Sequence, residues 1–310
     1  MKDALVTLFG GGGFLGRYVA QELLAQGARV RIAQRDPRRA WFLKPLGGLG
    51  QTQFVAVDVT RPETVARAAA GSDAVVNLVG TFTEFDAINV RGARAIAAAA
   101  AGAGAHSLVH ISAIGADAAS PARYARTKAE GEGVVREAFP AATILRPSVV
   151  FGREDQFINR FAGMIAAAPI VPVLKPEARF QPVYVHDVAR AVVAAIADAG
   201  RHGGQTYELG GPDILSMADL YRWIGDQIGR TPPMPGLPDA AGAALASLGF
   251  LPGAPITKDQ WLMLQRDNVV ADGAKGLAAL GVTPTPMGAV APGWLVRFRR
   301  HGRFGRKTAV

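Results

Sequence analysis

Ala4-Leu-Val-Thr-Leu-Phe9 runs directly into Gly10-Gly-Gly-Gly-Phe-Leu-Gly16, and this junction decides the fold. A short, largely apolar run stopped by four glycines reads as a buried parallel strand entering a tight turn. Gly10, Gly13 and Gly16 fit a G-x-x-G-x-x-G frame, and Gly11, Gly13 and Gly16 fit G-x-G-x-x-G. In either frame the early glycines let backbone N–H groups approach a pyrophosphate with no Cβ in the way. The last glycine lets the following helix pack on the strand. That helix, expected from Phe14 to about Gln26, would put its positive end, with Phe14 and Leu15 in the first turn, at the phosphates. A glycine cluster alone is often only a turn, and the flanking strand and helix are what give this one meaning.

Gly27 ends the helix, and residues 28–34 alternate as a second strand, which completes a β-α-β unit. The end of that strand selects the dinucleotide. A carboxylate there accepts from the adenosine ribose of NAD, whereas NADP needs a cation for its 2′-phosphate. The chain reads Gln34-Arg35-Asp36-Pro37 with Arg38 and Arg39 beyond. Arg35 points to NADP(H), and Asp36, held in an Asp-Pro turn, keeps NAD(H) as the lesser alternative. Arg38 and Arg39 read as a solvated loop, and residues 40–52 as a glycine-containing connection.

Further strands are expected at 53–57, ending in Asp58, at 74–79, opening onto Gly80, at 108–112 and at 142–146, ending in Pro147. Asp58 can meet an adenine amine or cap the helix that starts at Pro62. An alanine-rich stretch, 89–105, reads as one long helix. His106 and His110 would lie ~13 Å apart along a strand, too far to share a metal ion, and no metal site is expected. Tyr124 and Lys128, four apart in a helix opened by Ser120-Pro121, share one face. An ammonium beside a phenol favours the phenolate, which is the tuning a tyrosine acid/base needs near neutrality. By spacing alone the same pair could be a solvated surface pair.

These elements give an α/β, Rossmann-type, doubly wound parallel sheet with a smaller C-terminal substrate-side lobe. The expected organisation is a nucleotide-binding domain over 1–150 with returns near 180–210, a mixed lobe over 151–293, and a basic aromatic tail over 294–310. In the returns, Asp187 reads as the N-cap of a helix over 188–197. The 310 residues, 49% apolar, suffice for a large core, and no run is long enough to span a bilayer or to act as a signal peptide. Zero cysteines exclude thiolate chemistry by this chain. Six cations at 297–307 account for most of the net charge of +9, leaving +3 elsewhere, so the folded body lacks the basic face of a nucleic-acid binder.

In order and spacing, the glycine turn, Asp58, Asn77-Leu-Val-Gly80, Tyr124-x-x-x-Lys128 and Leu145-Arg-Pro-Ser148 resemble an extended, atypical member of the short-chain dehydrogenase/reductase superfamily. Within it, residues 110–117, 123–132, 181–188, 267–270 and 294–304 resemble a narrower group. That group includes the NADPH-binding accessory subunit of respiratory complex I (NADH:ubiquinone oxidoreductase) and its bacterial relatives. The resemblance implies NADPH held by Gly10, Gly13, Gly16, Arg17, Arg35 and Asp58, with Tyr124 and Lys128 at the nicotinamide ribose. Phe14, Leu15, Val59, Leu78, Val79, Gly80 and Pro147 would complete the lining.

Active relatives carry a Ser or Thr at the end of strand five to bind substrate oxygen. Ser112 is the candidate, but if the register puts that position at 113 the chain has Ala113. Two functional readings follow. One is a structural or regulatory NADP(H)-binding subunit of complex I, peripheral on the cytoplasmic face of the inner membrane and docked to subunits or lipid through its tail. The other is an active NADPH-dependent reductase or epimerase acting on a quinone-precursor or isoprenoid-like small molecule, with Tyr124, Lys128 and Ser112 as its catalytic group.

Overall fold

The computed structural model describes residues 1–251, 254 and 256–304. The strand that opens the chain, β1 (Leu5–Phe9), lies inside a seven-stranded sheet with β2 (Arg29–Gln34), β3 (Thr52–Ala56), β4 (Ala74–Asn77), β5 (Ser107–Ile111), β6 (Thr143–Pro147) and β7 (Thr206–Leu209). The strand order is 3-2-1-4-5-6-7, and every pairing is parallel. The chain winds outward from β1 to β3, then returns to place β4 on the other side of β1. Its switch point therefore falls between β1 and β4, where parallel sheets of this kind take ligands. β4 and β5 are buried along their whole length, as strands covered on both faces must be.

Helices α1 (Phe14–Ala25), α2 (Pro62–Ala69), α3 (Ala93–Gly102) and α4 (Arg123–Ala138) connect these strands. α3 turns Ala93, Ile96, Ala97 and Ala100 inward, and its small side chains let it lie close to the sheet. The single long helix expected at 89–105 is two structures. Phe85–Gly92 forms a wide π turn that continues into α3. Residues 37–46 are likewise a 3-10 helix rather than an irregular connection. α4 begins at Arg123, so Pro121 lies before the helix and not in its first turn.

The chain divides into two units. The first is Met1–Pro147, Val185–Leu209 and Ala271–Thr283, and the second is Ser148–Tyr184, Gly210–Val270 and Pro284–Val310. In the first, α6 (Val185–Ala197) packs on α1. Asp187 is fully buried inside the first turn of α6, which starts two residues before it, so it is not the N-cap the sequence suggested.

The second unit packs α5 (Ile158–Ala167) against α7 (Met217–Ile228), with Phe151, Ile158, Ile165, Leu220 and Ile224 at its centre. Ser216 caps α7 by accepting from Asp219 N at 3.0 Å. Two of the segments that suggested the narrower family act as struts here. Asn268 Oδ1 accepts from Ser148 Oγ at 2.6 Å, Gln181 Oε1 accepts from Val270 N at 2.9 Å, and Arg179 pairs with Asp267 at 2.7 Å.

The C-terminal segment, read as a basic aromatic tail that docks to a partner, is in part folded into the second unit. Trp294 and Phe298 pack against the core of the second unit, Leu295 is fully buried, and Arg299 Nε donates to Gln227 O at 2.9 Å. Trp294 and Phe298 are therefore spent on the chain's own core, whereas Phe304 is exposed. Arg306 and Lys307, like Pro252 and Pro255, lie outside the described residues.

Candidate functional site

Every residue singled out for the cofactor or for chemistry belongs to the first unit, at or just beyond the C-terminal end of a strand or in the first turns of α1 or α4. Phe9 pairs with Ala33 on one side and Asn77 on the other, which brings the glycine turn beside both Gln34 and Leu78. Gly10 adopts φ +85°, a conformation open to glycine. A Cβ on Gly16 would stand 2.5 Å from Gly10 O, so the turn and α1 touch backbone to backbone. Phe14 and Leu15 open α1, a twelve-residue helix with no acid in its first turn. Their N–H groups are among those a helix leaves without an internal acceptor. A Cβ-free cradle facing a helix N-terminus fits a pyrophosphate.

Gln34 organises this turn, a role that nothing in the local pattern signals. Its Oε1 accepts from Gly12 N at 3.0 Å, and its Nε2 donates to Asp36 O at 2.6 Å. Asp36 itself caps the 3-10 helix by accepting from Arg38 N at 3.1 Å and lies 3.6 Å from Arg39. Arg35 is exposed beyond β2. Arg17 lays its guanidinium over the Phe42 ring at 4.8 Å.

Beyond β3, Asp58 accepts from the Thr60 hydroxyl at 2.7 Å and from Thr60 N at 3.0 Å, and these bonds hold its carboxyl below the usual range. It forms a local turn and does not cap α2, whose N-cap is Arg61. Val59 packs on Gly92, at the end of the π turn. Val79 N donates to Asn77 Oδ1 at 3.0 Å, and a Cβ on Gly80 would meet Lys128 Nζ at 3.3 Å. Pro147 ends β6, its carbonyl accepting from Ile114 N at 3.1 Å.

The structure brings Lys128, Gly80 and the end of β5 together. Lys128 Nζ donates to Ile111 O at 2.9 Å. Burial lowers this ammonium to about 8, against a smaller opposing pull from Glu132. The phenol tuning expected from Tyr124 and Lys128 is absent. Burial pushes Tyr124 up to about 12. Its ring stacks on Phe82 with centroids 4.3 Å apart, and Lys128 Nζ stands 5.9 Å from the ring centroid with its charge directed at a backbone carbonyl.

Ser112 N donates to Leu145 O at 2.7 Å, and its buried Oγ has no partner among the described residues, which leaves a hydroxyl open to a ligand. Ala113 is half-buried. His110 lies in β5. Because Asn77 Oδ1 is taken by Val79 N, Asn77 Nδ2 donates to His110 Nδ1 at 3.0 Å, which fixes the proton on Nε2. Burial, then Lys128 and Arg136, lower His110 to about 3, so it is neutral.

Sequence reading also missed Asn89. Its Oδ1 accepts from Thr81 N at 3.1 Å and its Nδ2 donates to Thr127 Oγ1 at 3.2 Å, which ties the loop after β4 to α4. The only available signal was an asparagine ahead of an alanine run.

Residues 5–210 match the model of the "NAD dependent epimerase/dehydratase family". The chain is 33% identical over 324 residues to the Arabidopsis thaliana protein "NADH dehydrogenase [ubiquinone] 1 alpha subcomplex subunit 9, mitochondrial", covering 97% of this chain and 80% of that one. The Mus musculus protein of the same name is 36% identical over 298 residues, covering 93% and 78%. The Escherichia coli NADPH-dependent quinone oxidoreductase QOR2, solved with NADPH, superposes with a TM-score of 0.74 at 21% identity, covering 94% and 99%, a likeness of fold.

Proposed function

This chain belongs to the NAD dependent epimerase/dehydratase family, and from that premise we propose that it is an NADP(H)-binding structural or regulatory subunit associated with complex I. The observation that carries the reading is the extent of the likeness to complex I subunits. It spans 97% of the chain and so takes in the second unit as well as the nucleotide-binding one. No described helix is long and apolar enough to cross a membrane. In this reading the chain lies on the cytoplasmic face of the inner membrane, and the C-terminal cations add attraction to an acidic or lipid surface.

Gly10, Gly13 and Gly16, with the first turn of α1, would hold the pyrophosphate. Arg35 would meet the 2′-phosphate, Asp58 and Val59 the adenine, and Leu78, Val79, Gly80 and Pro147 the nicotinamide side. Bound NADPH supplies a hydride donor. A phenol raised to about 12 stays protonated at neutral pH, and Lys128 is directed at Ile111 O rather than at the phenol. The role that remains for Lys128 is to bond the nicotinamide ribose, with Tyr124 beside it. NADPH in this account ties β1, β2, β4 and α4 together and rigidifies the unit.

Calorimetric titration with NADPH and NADH tests the cofactor assignment. NADPH should bind more tightly, and Arg35→Gln should remove the preference, a loss of ~10- to 100-fold for charge-assisted hydrogen bonds. Lys128→Met should weaken both nucleotides alike. Asp36 is engaged with Arg38 and Arg39. Equal or tighter NADH binding would mean that Asp36 reads the ribose after all.

A further inference from the structure

The most unusual surface of the first unit is the segment after β2. Its 3-10 helix, Pro37–Leu46, buries only Ala40 and Leu43. Trp41, Phe42 and Leu46 are 49%, 46% and 48% exposed, and Leu49 is fully exposed. Four large apolar side chains thus face solvent within nine residues. The same stretch exposes Arg38, Arg39 and Lys44. Lys44 Nζ lies 4.1 Å above the Trp41 ring. Asp36, the one acid among residues 35–50, is engaged in capping the helix and facing Arg39.

The patch is also held in shape. Ala40 abuts Gly12, where a Cβ would come within 2.8 Å of it, Phe42 lies under Arg17, and Gln34 ties the helix start to the glycine turn. Surfaces that meet proteins are depleted in lysine at their centres. A tryptophan beside lysine and arginine is the composition of a water–lipid boundary, where the indole sits at headgroup depth and the cations reach phosphate.

We propose that residues 37–49 form a docking face for anionic lipid headgroups. Trp41, Phe42, Leu46 and Leu49 enter the boundary layer, and Arg38, Arg39 and Lys44 pair with lipid phosphates. Insertion by so short an element is shallow, so binding is reversible and weakens with salt. This inference stands apart from association with complex I, since lipid alone should suffice.

The test uses the full chain and vesicles without protein, made of phosphatidylcholine alone or mixed with phosphatidylglycerol. Wild type should co-sediment with the mixed vesicles only, and brominated lipid should quench Trp41 fluorescence. Trp41→Ser combined with Leu49→Ser should lower partitioning about tenfold or more, from the apolar area lost, with an unchanged unfolding midpoint. Arg38→Gln with Arg39→Gln and Lys44→Gln should do the same by removing charge. Equal binding to both vesicle types, or partitioning that neither variant changes, overturns the proposal. So does retention on native membranes without binding to vesicles, which would assign the face to a protein partner.

Discussion

His110 is a histidine that the fold keeps from becoming an imidazolium. Its ordinary value of 6.5 falls to about 3 because burial strips the charged form of water and Lys128 stands close by. Below pH 6.5 the unfolded chain takes up a proton that the folded chain refuses. This contribution to stability is therefore complete above 6.5 and is lost as pH falls from there toward 3, at about 1.4 kcal/mol per pH unit. Urea midpoints measured from pH 7.5 down to 5 should fall more steeply for wild type than for His110→Asn. Parallel curves would show that the site protonates freely.

The sequence put His110 in a strand and dismissed it as a metal ligand, and the structure agrees on the strand. It could not show the Asn77 amide that fixes the tautomer, because that contact joins neighbouring strands across 33 residues of chain. Tyr124 and Lys128 were legible as a pair on one helical face. Their mutual tuning was not, since it depends on where the ammonium points, and Ile111 O claims it.

Elements show the same division between local and non-local information. Strand, glycine turn and helix were readable because each signal, apolar run, glycines and amphipathic helix, lies in contiguous residues. The π turn at Phe85–Gly92 was hidden because the alanine run that follows reads as helix whichever turn precedes it. The 3-10 helix at 37–46 was hidden because two prolines and two glycines flank or interrupt its weak pattern.

The close approach of α1 to the turn gives a sharp expectation. Gly16→Ala would put a methyl 2.5–2.6 Å from backbone atoms of Gly10 and Gly11 that have no freedom to retreat. It should destabilise by about 2–3 kcal/mol, as overpacking does, and weaken nucleotide binding as the turn deforms. Gly133→Ala is the matched control. Gly133 is a helical glycine in α4 whose added Cβ meets nothing within 4 Å, so alanine there should stabilise by about 0.5–1 kcal/mol. If both variants unfold at the wild-type urea concentration, the turn is softer than its geometry implies.

For the whole molecule, the doubly wound parallel sheet followed from alternating strand and helix signals, whereas the packing of the C-terminal aromatics did not. Composition marks 294–307 as basic and aromatic but cannot say that Trp294 and Phe298 complete an apolar core that includes Phe151, Ile158, Leu220 and Ile224. The proposed association with complex I rests on a likeness that spans 97% of the chain, and the most direct measurement examines that association. A tagged full-length chain, expressed in its own host at native level, is followed after membranes are opened with mild detergent and resolved by native electrophoresis. The account predicts that the chain migrates with the band of NADH dehydrogenase activity and remains there through a salt wash that strips adventitious proteins. Migration only as free chain, with that band intact and devoid of it, would contradict it.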